Sequence, residues 1–146
     1  LDAVGVSAYS NIALVHHLGP MMRPEGAFLS LTYMAGERVI PGYGGGMSSA
    51  KAALESHVRQ LAMELARLGT GATANCIRAG VTVTPALLKI PESQTMIDIT
   101  MKRNPTGRMT TPQDVANAIL ALSGDGTEFI NGDIISVDGG EFITGS

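Results

Sequence analysis

Short apolar runs of strand length alternate along this chain with longer segments whose apolar residues recur every three or four positions. That alternation constrains the fold more than any other feature, because it calls for parallel strands joined by helices. Residues 7–22 read as a helix, with Ser7 as a possible cap and Leu14, Leu18 and Met21 on one stripe. Pro24-Glu25-Gly26 is a turn, and 27–31 is a short apolar strand. The longest periodic segment is 47–68, where Ala50, Ala53, Leu54, Val58, Leu61 and Leu65 mark one face, and Gly69 to Gly71 ends it. A second strand is expected over 72–77, one or two short helices over 83–104, and a last strand over 133–137 closed by Asp138-Gly139-Gly140. Thr111 followed by Pro112 is a helix start, with Val115, Ala118, Ile119 and Leu122 as its apolar face.

Parallel strands need neighbours on their edges and cover on both faces. A doubly wound nucleotide fold has six or so strands and a glycine-rich phosphate loop after the first. About three strands are present here, and no G-x-G-x-x-G follows a strand. The expected class is therefore α/β, part of a doubly wound, Rossmann-like parallel-sheet domain whose N-terminal nucleotide-binding half is missing. Residues 1–146 read as the C-terminal portion of that single domain, and Leu1-Asp2-Ala3 reads like the middle of a protein.

Composition narrows the class of function. Hydrophobic residues make up 45% and charged residues 16%, which is too apolar for a disordered chain. A net charge of −3 argues against a nucleic-acid partner. No apolar run approaches the roughly 20 residues of a membrane span. Cys76 is the one cysteine, so it has no partner for an internal disulfide, and no Cys/His cluster has metal-ligand spacing. Cys76 falls in an apolar run and is expected to be buried and inert. A lone thiol suggests a reducing compartment, and a cytoplasmic, bacterial setting is expected.

The chemistry-bearing segment runs from the end of the first strand into the long helix. Ligands in open α/β sheets bind at the C-terminal ends of strands, which is where Tyr33, Tyr43 and Lys51 fall. Met47 is the i−4 neighbour of Lys51 on the helix, a position open to a role in the core or in a pocket wall. If residues 43–51 were all helical, Tyr43 would lie about 12 Å along the axis from Lys51, too far to cooperate. Gly44, Gly45 and Gly46 remove that obstacle, because they can take positive φ and fold Tyr43 back from a loop. Singly, a helix lysine is usually solvated and a loop tyrosine is usually packed surface. Their joint register is what points to a shared site. His16, His17 and His57 read as helix-surface residues, and Glu37-Arg38 as a surface ion pair.

With Tyr33 and Tyr43 ten apart, a glycine run, and Lys51 eight after Tyr43, residues 26–56 closely resemble the enoyl-[acyl-carrier-protein] reductases of the short-chain dehydrogenase/reductase superfamily. The Tyr-x7-Lys spacing is similar to the plastid and apicomplexan form, and Ser7-Ala-Tyr-Ser10 is also similar to the family. The resemblance implies hydride transfer from a nicotinamide cofactor to the β-carbon of an enoyl thioester on acyl carrier protein. Tyr43 would hydrogen-bond the developing enolate oxygen, Lys51 would hold the nicotinamide ribose, and Tyr33 and Met47 would line the substrate pocket. Leu31 and Thr32 would run beside the cofactor, as would the segment holding Ala79, Gly80, Thr82 and Thr84. NADH is the expected cofactor. The residue that selects it over NADPH follows a strand this chain lacks. A homotetramer is implied, and a plastid location stays open because the N-terminus is missing.

The register departs from the family after the second strand. Arg78 replaces a small residue, and Val81 replaces a proline that fixes φ. Asn104 to Val115 and Val137-Asp-Gly-Gly look more like general carbonyl reductases of the superfamily, so a 3-oxoacyl reductase is the second reading, with Ser30 thirteen residues before Tyr43 as its serine. A third reading is an inactive fragment that only packs against partners. The resemblance also makes 83–103 a flap over substrate, expected to be the least ordered segment without ligand. Amide hydrogen exchange of the full-length protein should be faster there than in 47–67, and equal protection would contradict the expectation.

Overall fold

In the computed structural model, residues 1–144 are described. Three strands, β1 (Ala27–Thr32), β2 (Thr73–Ala79) and β3 (Ile134–Val137), form one parallel sheet in the order β1-β2-β3. The alternation read from the sequence thus gives the expected class, with each strand within two residues of its expected span. β2 is central. It pairs with β1 from Ala27↔Thr73 to Thr32↔Arg78 and with β3 from Cys76↔Ile134 to Ala79↔Val137. All three C-terminal ends therefore lie at one edge of the sheet.

The crossover from β1 to β2 is α1 (Met47–Arg67), whose bounds match the periodic segment. Its buried face carries Ala50, Leu54, Val58, Leu61 and Leu65, five of the six residues in the sequence stripe. Burying four side chains of this size contributes about 1.5–3 kcal/mol each. Leu61 and Leu65 pack with Ala72, Ala74 and Val15, while Leu54 and Val58 pack with Cys76 and Ala8. The same face also buries Glu55, which no apolar pattern announces.

The N-terminal helical segment is longer than expected at its start and shorter at its end. It runs as Asp2–Val4, a π-helical stretch Gly5–Tyr9 and a helix Ser10–Leu18, followed by a 3-10 turn Gly19–Met21. Its expected stripe is turned outward: Leu14, Leu18 and Met21 are exposed, and Val15 with Ile12 faces the core. This segment is apolar on more than one side, so periodicity alone does not select the covered side. Downstream, the 83–104 region forms a 3-10 turn Leu87–Lys89 and α2 (Ser93–Arg103). The helix α3 (Pro112–Leu122) begins with the expected Thr111 cap, elaborated by Asp114 into a reciprocal capping box. Only Val115 of its apolar face is buried, and Ile119 is exposed. Among the described residues no helix is long and apolar enough to cross a membrane.

Two asparagines fasten the approach to β3. Asn75, buried on β2, donates to the Ile130 carbonyl at 2.6 Å and accepts from the Asp133 amide at 3.0 Å. Asn131 accepts from the Ala74 amide and donates to the Ala62 carbonyl. Asn75→Leu keeps the branched shape but strands one donor and one acceptor. In the full-length protein it should cost about 2–4 kcal/mol in a urea titration, and a loss below about 0.5 kcal/mol would contradict this reading.

Candidate active site

β1 ends at Thr32, and the chain then turns through a short 3-10 segment, Met34–Gly36, before the glycine run. Tyr33 is extended, and the Met34 and Ala35 side chains are buried, which fixes the exit from the strand. Gly45 and Gly46 take φ of +65° and +86°, the left-handed region that the sequence anticipated, and Gly46 caps α1. Together they return Tyr43 toward Tyr33. The two rings meet edge to face, with centroids 5.1 Å apart. Ser48, one residue into α1, donates to the Tyr43 carbonyl at 3.0 Å and holds the loop against the helix. A cavity of about 670 Å³ opens beside Tyr43, between 35–40 and Pro91-Glu92.

Lys51, one turn into α1, donates from Nζ to the Leu31 carbonyl at 3.0 Å. The ammonium thus reaches the C-terminal end of β1, as strand-end logic requires. Burial lowers its pKa, and the Cys76 and Glu55 side chains act in the opposite direction. Burial pushes the Tyr43 hydroxyl above its ordinary value. Tyr33 is pushed well up, first by burial, then by the charge of Glu141 and by Tyr43. Both phenols are neutral at pH 7, as an ordinary phenol is, and their raised values extend that range upward.

The other expected site residues divide by what their side chains do. Leu31 is 47% exposed. Thr32 is buried and donates to Glu55 at 2.7 Å, so its hydroxyl is committed to the interior. Thr82 donates to the Gly80 carbonyl, and the Thr84 hydroxyl accepts from the Leu87 amide and caps the following turn. From 79 to 84, what is left to meet a ligand is backbone more than hydroxyl. Met47 is half-buried, with its sulfur 4.0 Å from the Ser7 hydroxyl.

The sequence marks Arg78 only as a departure from the family and gives no sign of Glu55 or Glu141. Arg78 is buried and pairs with Glu37 and, at 3.7 Å, with Glu55. Its guanidinium also lies 4.1 Å from the centre of the Phe142 ring, which Arg38 approaches at 4.3 Å. Glu37 thus pairs with Arg78 across the sheet end instead of with its neighbour Arg38. Glu141 is 2% exposed and binds the Val81 amide and the Thr100 hydroxyl. All three answer to partners that are distant in sequence. Cys76 is fully buried, as expected, and burial raises its thiol to about 12.

A sequence profile described as Enoyl-(Acyl carrier protein) reductase matches residues 1–141. The chain belongs to that family. It is 44% identical over 140 residues to the chloroplastic enoyl-[acyl-carrier-protein] reductase [NADH] of Arabidopsis thaliana, covering 96% of this chain and 36% of that protein. The crystal structure of the NADH enzyme from Aquifex aeolicus superposes with a TM-score of 0.89 at 39% identity, over 96% of this chain and 54% of that one. The Plasmodium berghei enzyme with triclosan superposes at 0.93 and 40% identity, over 98% of this chain and 50% of that one. The chain thus spans about half or less of the relatives it matches, and its parallel sheet is part of the family's Rossmann-like domain.

The raised phenols make a pH prediction. A group with a raised folded pKa contributes stability that is complete below its ordinary value, 10.0 here, and is lost as pH rises through the folded value. Stability of the full-length protein should therefore fall above pH 10, and Tyr33→Phe should flatten that fall. An unchanged alkaline slope in the variant would contradict the burial of Tyr33.

Proposed function

We propose that the full-length protein carrying this chain reduces trans-2-enoyl thioesters of acyl carrier protein, using NADH, in fatty-acid synthesis. One observation carries the reading: Tyr33 and Tyr43 stand edge to face beside the end of β1, while Lys51 is anchored at that same strand end on the Leu31 carbonyl. The names of the family's members agree with it.

The residues present fit the ribose end of a nicotinamide cofactor. Lys51 spends one N–H on Leu31 and keeps two for hydroxyl oxygens. Such a cofactor, when bound, supplies hydride to the β-carbon of the enoyl group. Negative charge then develops on the thioester oxygen, and a proton is taken up at the α-carbon. Tyr43 donates a hydrogen bond to that oxygen as the charge grows, which lowers the barrier more than it tightens ground-state binding. A neutral phenol suits that task, and burial raises its pKa further above neutral pH. Tyr33 supports the Tyr43 ring and lines the acyl side of the pocket with Met47. Lys51 orients the ribose and adds positive potential. Leu31, Thr32, Ala79, Gly80, Thr82 and Thr84 offer backbone along the cofactor's path.

The carbonyl-reductase reading fares worse on geometry. Ser30 lies within β1, opposite Cys76, and its hydroxyl is engaged by the Asn11 amide. It lies within the strand, short of the end at Thr32. We further read residues 1–146 as the C-terminal portion of one short-chain dehydrogenase/reductase domain in a cytoplasmic homotetramer. Ala52, exposed near the start of α1, supports close helix approach between subunits.

The test is an assay of the full-length protein with crotonyl and acetoacetyl thioesters, following NADH oxidation. Reduction of the crotonyl substrate alone is expected, and reduction of acetoacetyl alone would overturn the proposal. Tyr43→Phe should lower turnover by about 10²–10³-fold with cofactor affinity nearly unchanged. Lys51→Ala should instead weaken cofactor binding.

A further inference from the structure

Glu141 is a buried carboxylate that the reaction just described does not use. β3 ends at Val137, and the turn after it aims the next residues inward. Asp138 accepts from the amides of Gly140 at 2.9 Å and Phe142 at 2.8 Å. Gly139 and Gly140 take φ of +63° and +89° and pass so near Asn104 and Pro105 that a Cβ on either would collide. The chain therefore reverses, and residue 141 enters the interior.

There each carboxylate oxygen has one donor. Oε2 accepts from the Val81 backbone amide at 3.1 Å, and Oε1 accepts from the Thr100 hydroxyl at 3.1 Å. Val81 is in the turn after β2, and Thr100 is a buried residue of α2. A Cβ at Gly80 would collide with Thr110 Oγ1 and lie 2.9 Å from Glu141 Oε2, so the Thr110 hydroxyl and the carboxylate together leave no room for a side chain there. The groups facing the carboxylate are Asp138, Arg103 and Tyr33.

We propose that Glu141 is a positioning residue, which sets the backbone of the Gly80–Thr84 turn through the Val81 amide and ties that turn to α2 through Thr100. The proposal rests on the reading above, in which this turn offers its backbone to the cofactor. The physical reason is the buried Val81 N–H. Val81 is 5% exposed, and its amide has this one acceptor among the described residues. Without it the turn must rotate the N–H toward water, and the neighbouring Thr82 backbone rotates with it. A residue with no N–H at 81 would not need the carboxylate. Positions 81 and 141 are therefore coupled, although 60 residues separate them.

The test is fluorescence titration of the full-length protein with NADH, accompanied by thermal melts and steady-state kinetics. Glu141→Leu removes the acceptor and should weaken NADH binding about tenfold, with KM for NADH rising in step and kcat within about threefold. Glu141→Gln keeps a carbonyl for the Val81 amide and should bind within about threefold of the parent. Glu141→Leu combined with Val81→Pro removes the stranded donor and should recover affinity. If Glu141→Leu alone does not fold, the same double variant should restore a cooperative melt. NADH binding by the parent with equal binding by Glu141→Leu would overturn this inference alone, as would a double variant no better than the single one. A parent that does not bind NADH would overturn the reading of the site as well.

Discussion

Everything at the site depends on the parallel pairing of β1 with β2. Parallel neighbours cannot be joined by a tight hairpin, so α1 must cross the sheet between them. The crossover returns the chain from the C-terminal end of β1, and so α1 begins beside the end of that strand. Lys51 in the first turns of α1 can therefore reach the Leu31 carbonyl, and the loop between strand and helix carries both tyrosines. The apolar stripe from Ala50 to Leu65 holds the helix in place. The same helix thus holds Lys51 at the strand end and buries Leu54 to Leu65 behind it.

Charge is handled at that strand end by pairing across elements. Thr32 from β1, Glu55 from α1 and Arg78 from β2 meet in the interior, and Glu37 from the loop completes the set. A buried ion pair adds little to net stability over an apolar replacement, but removing one partner leaves an uncompensated charge. The arrangement is therefore better understood as fixing the relative position of three elements than as a source of stability. It also explains how Arg78 is accommodated where the family motif has a small residue. The guanidinium pairs with Glu37 and Glu55 and lies against Phe142.

Much of the fold was legible because it depends on local periodicity. The bounds of α1, the three strands, the Thr111 cap and the positive φ of the glycine loop all follow from spacing and residue type within a few positions. The joint register of Tyr33, Tyr43 and Lys51 was legible for the same reason. Sidedness was less so. Leu14, Leu18 and Met21 form a stripe that faces outward, and most of the apolar face of α3 is only partly covered. Periodicity defines a face, but the partner that covers it lies elsewhere in the chain or outside it. The partners of Glu55, Arg78 and Glu141 were invisible because each is satisfied by groups between 23 and 60 residues away. No local pattern encodes a partner at that distance.

The central claim is that the Tyr43–Lys51 constellation serves hydride addition to the β-carbon of an enoyl thioester. The most direct measurement follows the atoms. Full-length protein is given NADH carrying deuterium at both C4 positions and crotonyl thioester in ordinary water, and the butyryl product is examined by NMR. The account expects deuterium at C3 of the product and ordinary hydrogen at C2. Turnover that leaves C3 unlabelled, or puts the label at C2, would contradict it.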